Sequence, residues 1–588
     1  MRIAILDKEK CQPAVCNFLC IRMCPGVRMG QETIVKGLDN KPVISEALCS
    51  GCGICVKKCP LQAISIINLP EELANPIHQF GVNGFRLYRL FMPKQGQVIG
   101  LIGRNATGKS TALKIISSQL IPNLGNLSES SFEKLLAFYK GKELHDFFLK
   151  AKNNEIKLSV KPQHIDLLSN FKGTLIEFIN QAVKENLAKQ KLDFILTELD
   201  LINLQNHSVN KLSGGELQRL AIATCLLKEA DIYFFDEPSS YLDIYQRLKL
   251  AKILRNLVDK NKSVIVIEHD LAVLDYLSDL VHILFGKPGC YGIISQVKTV
   301  KNGINEFLQG FIKDENIRFR DNEINFSKIS SQENKASSFI DFPAFTKTFP
   351  AFKLTVEQGN LGFGQVLGIL GPNGIGKTTF VKILAGIDKS DSTDLSLNYK
   401  ISYKPQYLKA EPDTTVEEFF ANSNDLDSEL LNNMIENKLN VRELFPKKLE
   451  NLSGGELQRV AVAFSLAQQA DFYLLDEPSA FLDVEQRLAL AELLKQFTSL
   501  KKAVSIVVDH DLLFIDSISD RLLVFSGESG VSGFASKPVS LHDGMNSFLK
   551  SQGITYRRDH ETGRPRVNKP DSILDKDQKA SGEFYYEK

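Results

Sequence analysis

The octapeptide LSGGELQR runs from Leu212 to Arg219 and again, letter for letter, from Leu452 to Arg459. Identity over eight positions inside one chain marks a tandem duplication, so whatever architecture forms once must form twice. Each copy precedes an apolar run closed by two acids, DIYFFDEP (Asp231 to Pro238) and DFYLLDEP (Asp471 to Pro478). Each copy also follows a glycine-rich stretch with a lysine, GRNATGKS (Gly103 to Ser110) and GPNGIGKT (Gly371 to Thr378).

The glycine-rich stretches fit GxxxxGK[ST], in which backbone amides at a helix start cradle phosphates. Gly103, Asn105 and Gly108, and likewise Gly371, Asn373, Gly374 and Gly376, supply that cradle. Lys109 and Lys377 reach the β and γ groups, Ser110 and Thr378 ligate Mg²⁺, and Thr111 and Thr379 follow on the nucleotide side. The apolar runs read as strands buried on both faces, which bring Asp236 and Asp476 to Mg²⁺ and Glu237 and Glu477 to the attacking water. Gln163 in VKPQ and Gln406 in YKPQ stand where an amide can reach both the metal and that water, and His269 and His510 stand where a side chain contacts the γ-phosphate. Read together these are the parts of an ATP-binding cassette, present twice. Ala106 and Thr107 replace Gly374 and Ile375 of the second copy, so the two loops are chemically unequal. Upstream aromatics, Phe80 or Phe85 in the first half and Phe345, Phe349 or Phe352 in the second, are candidates to stack on adenine.

Eight of the ten cysteines lie in the first 60 residues. Cys49, Cys52, Cys55 and Cys59 before Pro60 form the CxxCxxCxxxCP run of bacterial ferredoxins, and Cys11, Cys16, Cys20 and Cys24 before Pro25 form an expanded version. The fourth cysteine of each run serves the other cluster in two-cluster ferredoxins. That rule assigns one [4Fe-4S] cluster to Cys49, Cys52, Cys55 and Cys24, and another to Cys11, Cys16, Cys20 and Cys59. Structural zinc and disulfides are the alternatives, the latter disfavoured in the cytosol. Gly51 and Gly53 suit close backbone approach to a cluster. With no flavin or nicotinamide motif in the chain, the clusters read as structural and mechanical rather than as electron carriers.

With Lys plus Arg at 71 and Asp plus Glu at 70 in 588 residues, no overall electrostatic footprint for nucleic acid exists, and any such contact must be local. No secretory signal and no run of about 20 apolar residues is visible, which reads as a cytoplasmic protein without a membrane span. Lys109 to Gln163 spans 54 positions but Lys377 to Gln406 only 29, so the first copy carries about 25 extra residues between Ser130 and Lys157. Their apolar spacing on either side of Gly141 predicts a helix, a turn and a second helix, with Lys134, Lys140, Lys142, Lys150 and Lys152 as a docking surface for a phosphate-rich partner. After each cassette GINxFL or GMNxFL is followed by a basic segment, Ile317 to Asp321 and Ile554 to Asp559, placed to strap the cassettes together as hinges. Arg318, Arg320, Arg557 and Arg558 there face either the other cassette or an RNA backbone. From about Thr562 the tail is polar and is expected to be largely extended.

The cysteine head, the twin LSGGELQR cassettes, the hairpin in the first cassette only and the repeated hinges together resemble the E class of ABC proteins, the ribosome recycling factors also called RNase L inhibitors. The resemblance covers essentially the whole chain. It implies an α/β architecture of two tandem P-loop nucleotide-binding domains facing head to tail, with an N-terminal α+β ferredoxin-like domain. Expected limits are 1–72 for that domain, 73–286 and 323–527 for the cassettes, with the insertion at about 130–156, 287–322 for hinge 1, and 528–588 for hinge 2 and the tail. Two ATP sites then form between cassettes of one monomer: Lys109 and Glu237 share ATP with Ser453, Gly454, Gly455 and Glu456, and Lys377 and Glu477 share it with Ser213, Gly214, Gly215 and Glu216. The family implies a Mg²⁺-dependent ATPase that splits post-termination or stalled ribosomes and stays on the small subunit, with a release or rescue factor and initiation factors as partners. A soluble ATPase of iron-sulfur assembly or transport is the alternative.

Overall fold

The computed structural model describes residues 2–8, 10–46, 48–68, 75–127, 130–161, 165–183, 188–259, 261–324, 326, 336–392, 399–406, 408, 413–423, 425–559, 562–569 and 571–585. In the head, Arg2–Leu6 pairs antiparallel with Ile64–Asn68, and a second ribbon joins Ile34–Lys36 to Pro42–Ile44. Short helices Leu19–Met23 and Ile54–Lys58 pack on each other between these ribbons, and Cys11, Cys20, Cys24 and Cys55 are buried in the resulting core.

Each cassette is built on a sheet with nine strands among the described residues. Val98–Gly103 lies parallel between Ser263–Ile267 and Leu280–Phe285, and Ile232–Asp236 and Leu158–Val160 extend the sheet beyond Ser263–Ile267. Three of these strands are buried at every position, which is why they read as unbroken apolar runs and not as alternation. The second cassette repeats the order with Val366–Leu370 in the centre, flanked by Val504–Val508 and Arg521–Glu528. Both phosphate loops leave the carboxyl end of the central strand, where open α/β sheets bind ligands.

The sheets run past the expected limits. Tyr291–Ile294 and Lys298–Thr299 complete the first, Ser532–Ala535 and Val539–Ser540 the second. The helices Val300–Gln309 and Leu541–Gln552 follow these strands. The insertion forms as expected: Phe132–Phe138, a turn with Gly141 at φ +80°, and Glu143–Lys152. Leu135, Tyr139, Leu144, Phe147 and Phe148 bury its inner face, while Lys134, Lys140, Lys142, Lys150 and Lys152 stay exposed.

The tail does not run extended. Tyr556–Arg558 pairs with Pro565–Val567, and Ile573–Ser581 is helical. Arg564 is completely buried against the first cassette: its guanidinium lies 3.3 Å from Asp275 and 3.5 Å from Leu271 O, and Arg566 grips both oxygens of Asp275 at 2.6 and 2.9 Å. Low apolar content hid this because the segment is held largely by ion pairs, with Val567, Phe584 and Tyr585 as its few core side chains. Of the hinge arginines, Arg320 reaches the second cassette at Glu485, Arg558 pairs with Asp516 inside the second cassette, and Arg318 is exposed. An unpaired buried charge is far costlier than the pair is favourable. Asp275→Ala should therefore lower unfolding stability by about 3–5 kcal/mol, read as a fall in the denaturant midpoint of the full chain. An unchanged midpoint would show that this junction does not hold the tail.

Candidate functional site

Each phosphate loop turns through a glycine at φ +93°, Gly108 or Gly376, which caps the helix opening with Lys109 or Lys377. Both lysines fold back onto loop carbonyls: Lys109 Nζ donates to Gly103 O and Arg104 O at 2.8 Å, Lys377 Nζ to Gly371 O at 2.8 Å and Pro372 O at 2.5 Å. Burial pulls both ammonium groups down, Lys377 to about 8, while neighbouring carboxylates resist. The inequality of the loops is one of strain as well as chemistry. Ala106 takes φ +58°, the left-handed bend that Gly374 takes freely at +74°, at a cost of about 1 kcal/mol for a residue with a Cβ.

Ser110 hydrogen-bonds Asp236, and Thr378 Oγ1 donates to Asp476 Oδ2 at 2.9 Å. Glu237 and Glu477 follow their aspartates at φ +45° and +48°, a region that non-glycine residues seldom occupy and that clusters at functional sites. Their carbonyls are held in that bend: Gln218 Nε2 donates to Glu237 O at 2.8 Å, and Gln458 and Lys404 both donate to Glu477 O. Lys161 and Lys404, buried two residues before each expected glutamine, also reach Asp236 O and Asp476 O at 3.1 and 2.8 Å. Their recurrence as KPQ in both copies was the available signal.

His269 Nε2 lies 3.3 Å from Glu237 Oε1 and His510 Nε2 3.4 Å from Glu477 Oε1. Burial would raise both glutamates, but the histidine beside each, and the nearby lysines, bring them down to about 2. Burial next to Glu477 pushes Asp476 up to about 6, and Asp236 rises for the same reasons. Each site thus pairs a firmly ionised glutamate with a more basic aspartate. Gln406 Nε2 donates to Glu477 Oε1 at 2.8 Å. Gln163 lies outside the described residues.

Ser213 and Ser453 cap the helices Gly214–Leu227 and Gly454–Ala467, so the repeated octapeptide is a helix start that presents free N–H groups. Glu216 and Glu456 close the capping boxes, accepting from the serine N–H at 2.7 and 2.9 Å and from its hydroxyl at 2.8 and 2.9 Å. Those carboxylates are engaged by their own helix. A Cβ on Gly455 would come 2.9 Å from Phe481 O, which is why that position excludes a side chain.

The cassettes face each other head to tail. Asn105 N donates to Asp483 Oδ2 at 3.1 Å, and Asn373 N to Asp243 Oδ2 at 2.9 Å, so each phosphate loop is bonded to the opposite cassette. A cavity of about 920 Å³ is lined by Lys377, Thr378, Thr379, Gln406, Glu477 and His510 on one side and by the start of the helix after Ser213 on the other. In the other pair Gly455 sits beside Asn105, and Asp483 contributes to the field at Lys109. Among the aromatic candidates, Phe85 and Phe352 lie against Gly108 and Gly376, Phe345 is stacked on Phe380 in the core, and Phe80 and Phe349 are exposed.

None of the ten cysteines is joined in a disulfide. Burial, then neighbouring thiols, raises Cys11 beside Cys16 and Cys59, and raises Cys20 and Cys55 to about 11, the latter beside Cys49 and Cys52. Cys59 lies within electrostatic reach of Cys11, and Cys20 within reach of Cys55. Gly51 and Gly53 take φ +69° and +77°, so glycine is needed there for conformation. Among the described residues no group of three or more His, Cys, Asp or Glu converges as on one metal ion. A cubane asks for something else, one thiolate per iron. Cys225 and Cys290 are buried elsewhere.

Sequence models of known families match three parts of the chain: "ABC transporter" over 91–240 and 355–480, "Possible Fer4-like domain in RNase L inhibitor, RLI" over 1–32, and "4Fe-4S binding domain" over 42–65. The Arabidopsis thaliana protein "ABC transporter E family member 1" is 43% identical over 100% of this chain and 98% of its own length. The Saccharomyces cerevisiae "Translation initiation factor RLI1" is 41% identical over 100% and 98%. A solved structure described as "Model of ribosome-bound archaeal Pelota and ABCE1" superposes with a TM-score of 0.94 at 49% identity, covering 100% of this chain and 99% of that one. The fold and the paired sites are those of an ABC-type ATPase with an iron-sulfur head, and the chain belongs to the E family of ABC proteins, the RNase L inhibitor family.

Proposed function

We propose that this chain is an ATP-driven recycling factor that separates ribosomal subunits after termination or stalling and remains on the small subunit. The observation that carries this reading is the full-length likeness to a ribosome-bound protein, head and hairpin included. A Pelota-like rescue factor and initiation factors are its partners by the same likeness. It acts as a monomer in the cytoplasm. Among the described residues no helix is long and apolar enough to cross a membrane.

The working units are the head, 1–72; the cassettes, 73–299 and 323–540; and the hinges, 300–322 and 541–588. ATP fills each composite site, with Phe85 or Phe352 against adenine and Lys109 or Lys377 on the β and γ phosphates. Mg²⁺, which neutralises charge on the transferring phosphoryl group, would be held at one site by Ser110, Asp236 and Gln163 and at the other by Thr378, Asp476 and Gln406. Glu237 and Glu477, ionised throughout the neutral range, accept the proton of the attacking water while His269 and His510 orient the γ-phosphate. The helix starts at Ser213 and Ser453 close over the phosphates from the opposite side, so ATP draws the cassettes together and hydrolysis frees them. Two [4Fe-4S] clusters would take the ligand sets Cys11, Cys16, Cys20, Cys59 and Cys24, Cys49, Cys52, Cys55.

The head is fixed to the first cassette, where Asn83 bonds Ala4 O and both backbone groups of Ile44. It meets the second through Lys10, 3.4 Å from Glu443. A change in cassette separation therefore alters the seating of the head, which is how ATP closure does work on the ribosome.

Glu237→Gln or Glu477→Gln should slow steady-state hydrolysis by about 10² while ATP binding persists, as for loss of a positioned base; unchanged turnover in both variants removes these residues from the chemistry. Removing residues 131–152 should weaken cosedimentation with small subunits in a nonhydrolysable ATP analogue and spare ATP binding. Equal cosedimentation would assign the hairpin another purpose.

A further inference from the structure

The two composite sites share one bond and differ in another. In both, an aspartate that caps its own helix also accepts from the opposite phosphate loop. Among the described residues, a second bridge is added at the first site alone. Arg104, next to Gly103 in the loop, places Nε 3.0 Å from Glu485 Oε2, two residues past Asp483. Glu485 Oε1 accepts from Arg320 at 2.6 Å, so one carboxylate spans two guanidinium groups. Arg320 belongs to hinge 1 and is locked there. It donates to Phe307 O, to Leu308 O at 2.6 Å and to Asn322 O at 2.8 Å, and its guanidinium lies over the Phe307 and Phe319 rings. Phe319 in turn packs on Phe285, at the end of a strand of the first cassette.

At the second site the same register puts Pro372 in place of Arg104 and Tyr245 in place of Glu485. Neither carries a charge, and Tyr245 is half exposed in the wall of the cavity. Among the described residues the bridge from loop to opposite cassette to hinge therefore exists on one side of the molecule.

We propose that Glu485 is a positioning residue that ties hinge 1 to the first phosphate loop, so that the site containing Lys109 and Glu237 opens only together with hinge 1, while the site containing Lys377 opens without it. This deepens the reading of the facing pockets as ATP sites and rests on it. Arg104 is part-exposed and Arg320 mostly buried, so the bridge combines a weak rim pair with a stronger desolvated one.

The test uses the full chain with Glu237→Gln and Glu477→Gln, loaded with labelled ATP and Mg²⁺ and chased with unlabelled ATP. Adding Glu485→Ala should speed release of one of the two trapped nucleotides by about tenfold, the effect of one part-buried charge interaction, and leave the other unchanged. Arg320→Ala should do the same, and Arg104→Ala added to Glu485→Ala should give no further gain, because both act through one carboxylate. Glu485→Gln, which keeps the shape and removes the charge, repeats the measurement if the alanine variant folds poorly. Equal acceleration of both nucleotides, acceleration of neither, or additive effects of Arg104 and Glu485 would overturn the proposal. Failure of the parent chain to trap any ATP would instead overturn the site reading itself, and the proposal with it.

Discussion

Two carboxylates set the geometry on which the rest depends. Asp243 caps the N–H of Gln246 with Oδ1 and accepts from Asn373 with Oδ2; Asp483 does the same for Gln486 and Asn105. The helix cap fixes the side chain, so the second oxygen arrives at the opposite loop already oriented, and a bond to a charged acceptor is worth about 1.5–3 kcal/mol. Two such bonds, one in each direction, favour the head-to-tail facing of the cassettes.

The glutamates are prepared in a comparable way. Their backbones sit in a sparsely populated bend, which the surroundings over-determine through Gln218 and Gln458 on the two carbonyls and Lys404 on that of Glu477, while Lys161 holds the carbonyl of Asp236. The same lysines oppose the negative charge gathered at two adjacent acids. Between the glutamates lies a cavity of about 60 Å³ walled by Ser239 to Leu242 and Ser479 to Leu482, so the two centres share a boundary.

Much of this was legible because the chain repeats itself. Register between copies promoted Gln406, His269 and His510 from ordinary residues to site residues, and the structure brings all three to their acids or glutamates. The hairpin was legible from its 3–4 spacing around Gly141. What stayed hidden breaks the repeat or spans distance. Glu485 has no acidic counterpart, and its partners lie 381 positions before it in Arg104 and 165 before it in Arg320. Arg564 and Arg566 sit in a stretch whose polarity reads as solvated, because periodicity reports burial of apolar faces and is silent on buried ion pairs. The sheets outran the expected limits because the strands that carry them on, Tyr291–Ile294 and Ser532–Ala535, are only four residues long.

The clasp of Arg564 on Asp275 has a consequence in time. The two residues are 289 positions apart, and the second cassette is encoded between them. At elongation rates of about 5–20 residues per second, the helix bearing Asp275 waits on the order of tens of seconds for its counter-charge. A nascent first cassette therefore leaves the exit tunnel with an acid it cannot neutralise, and the molecule becomes finished at its beginning only after nearly all of it has been made.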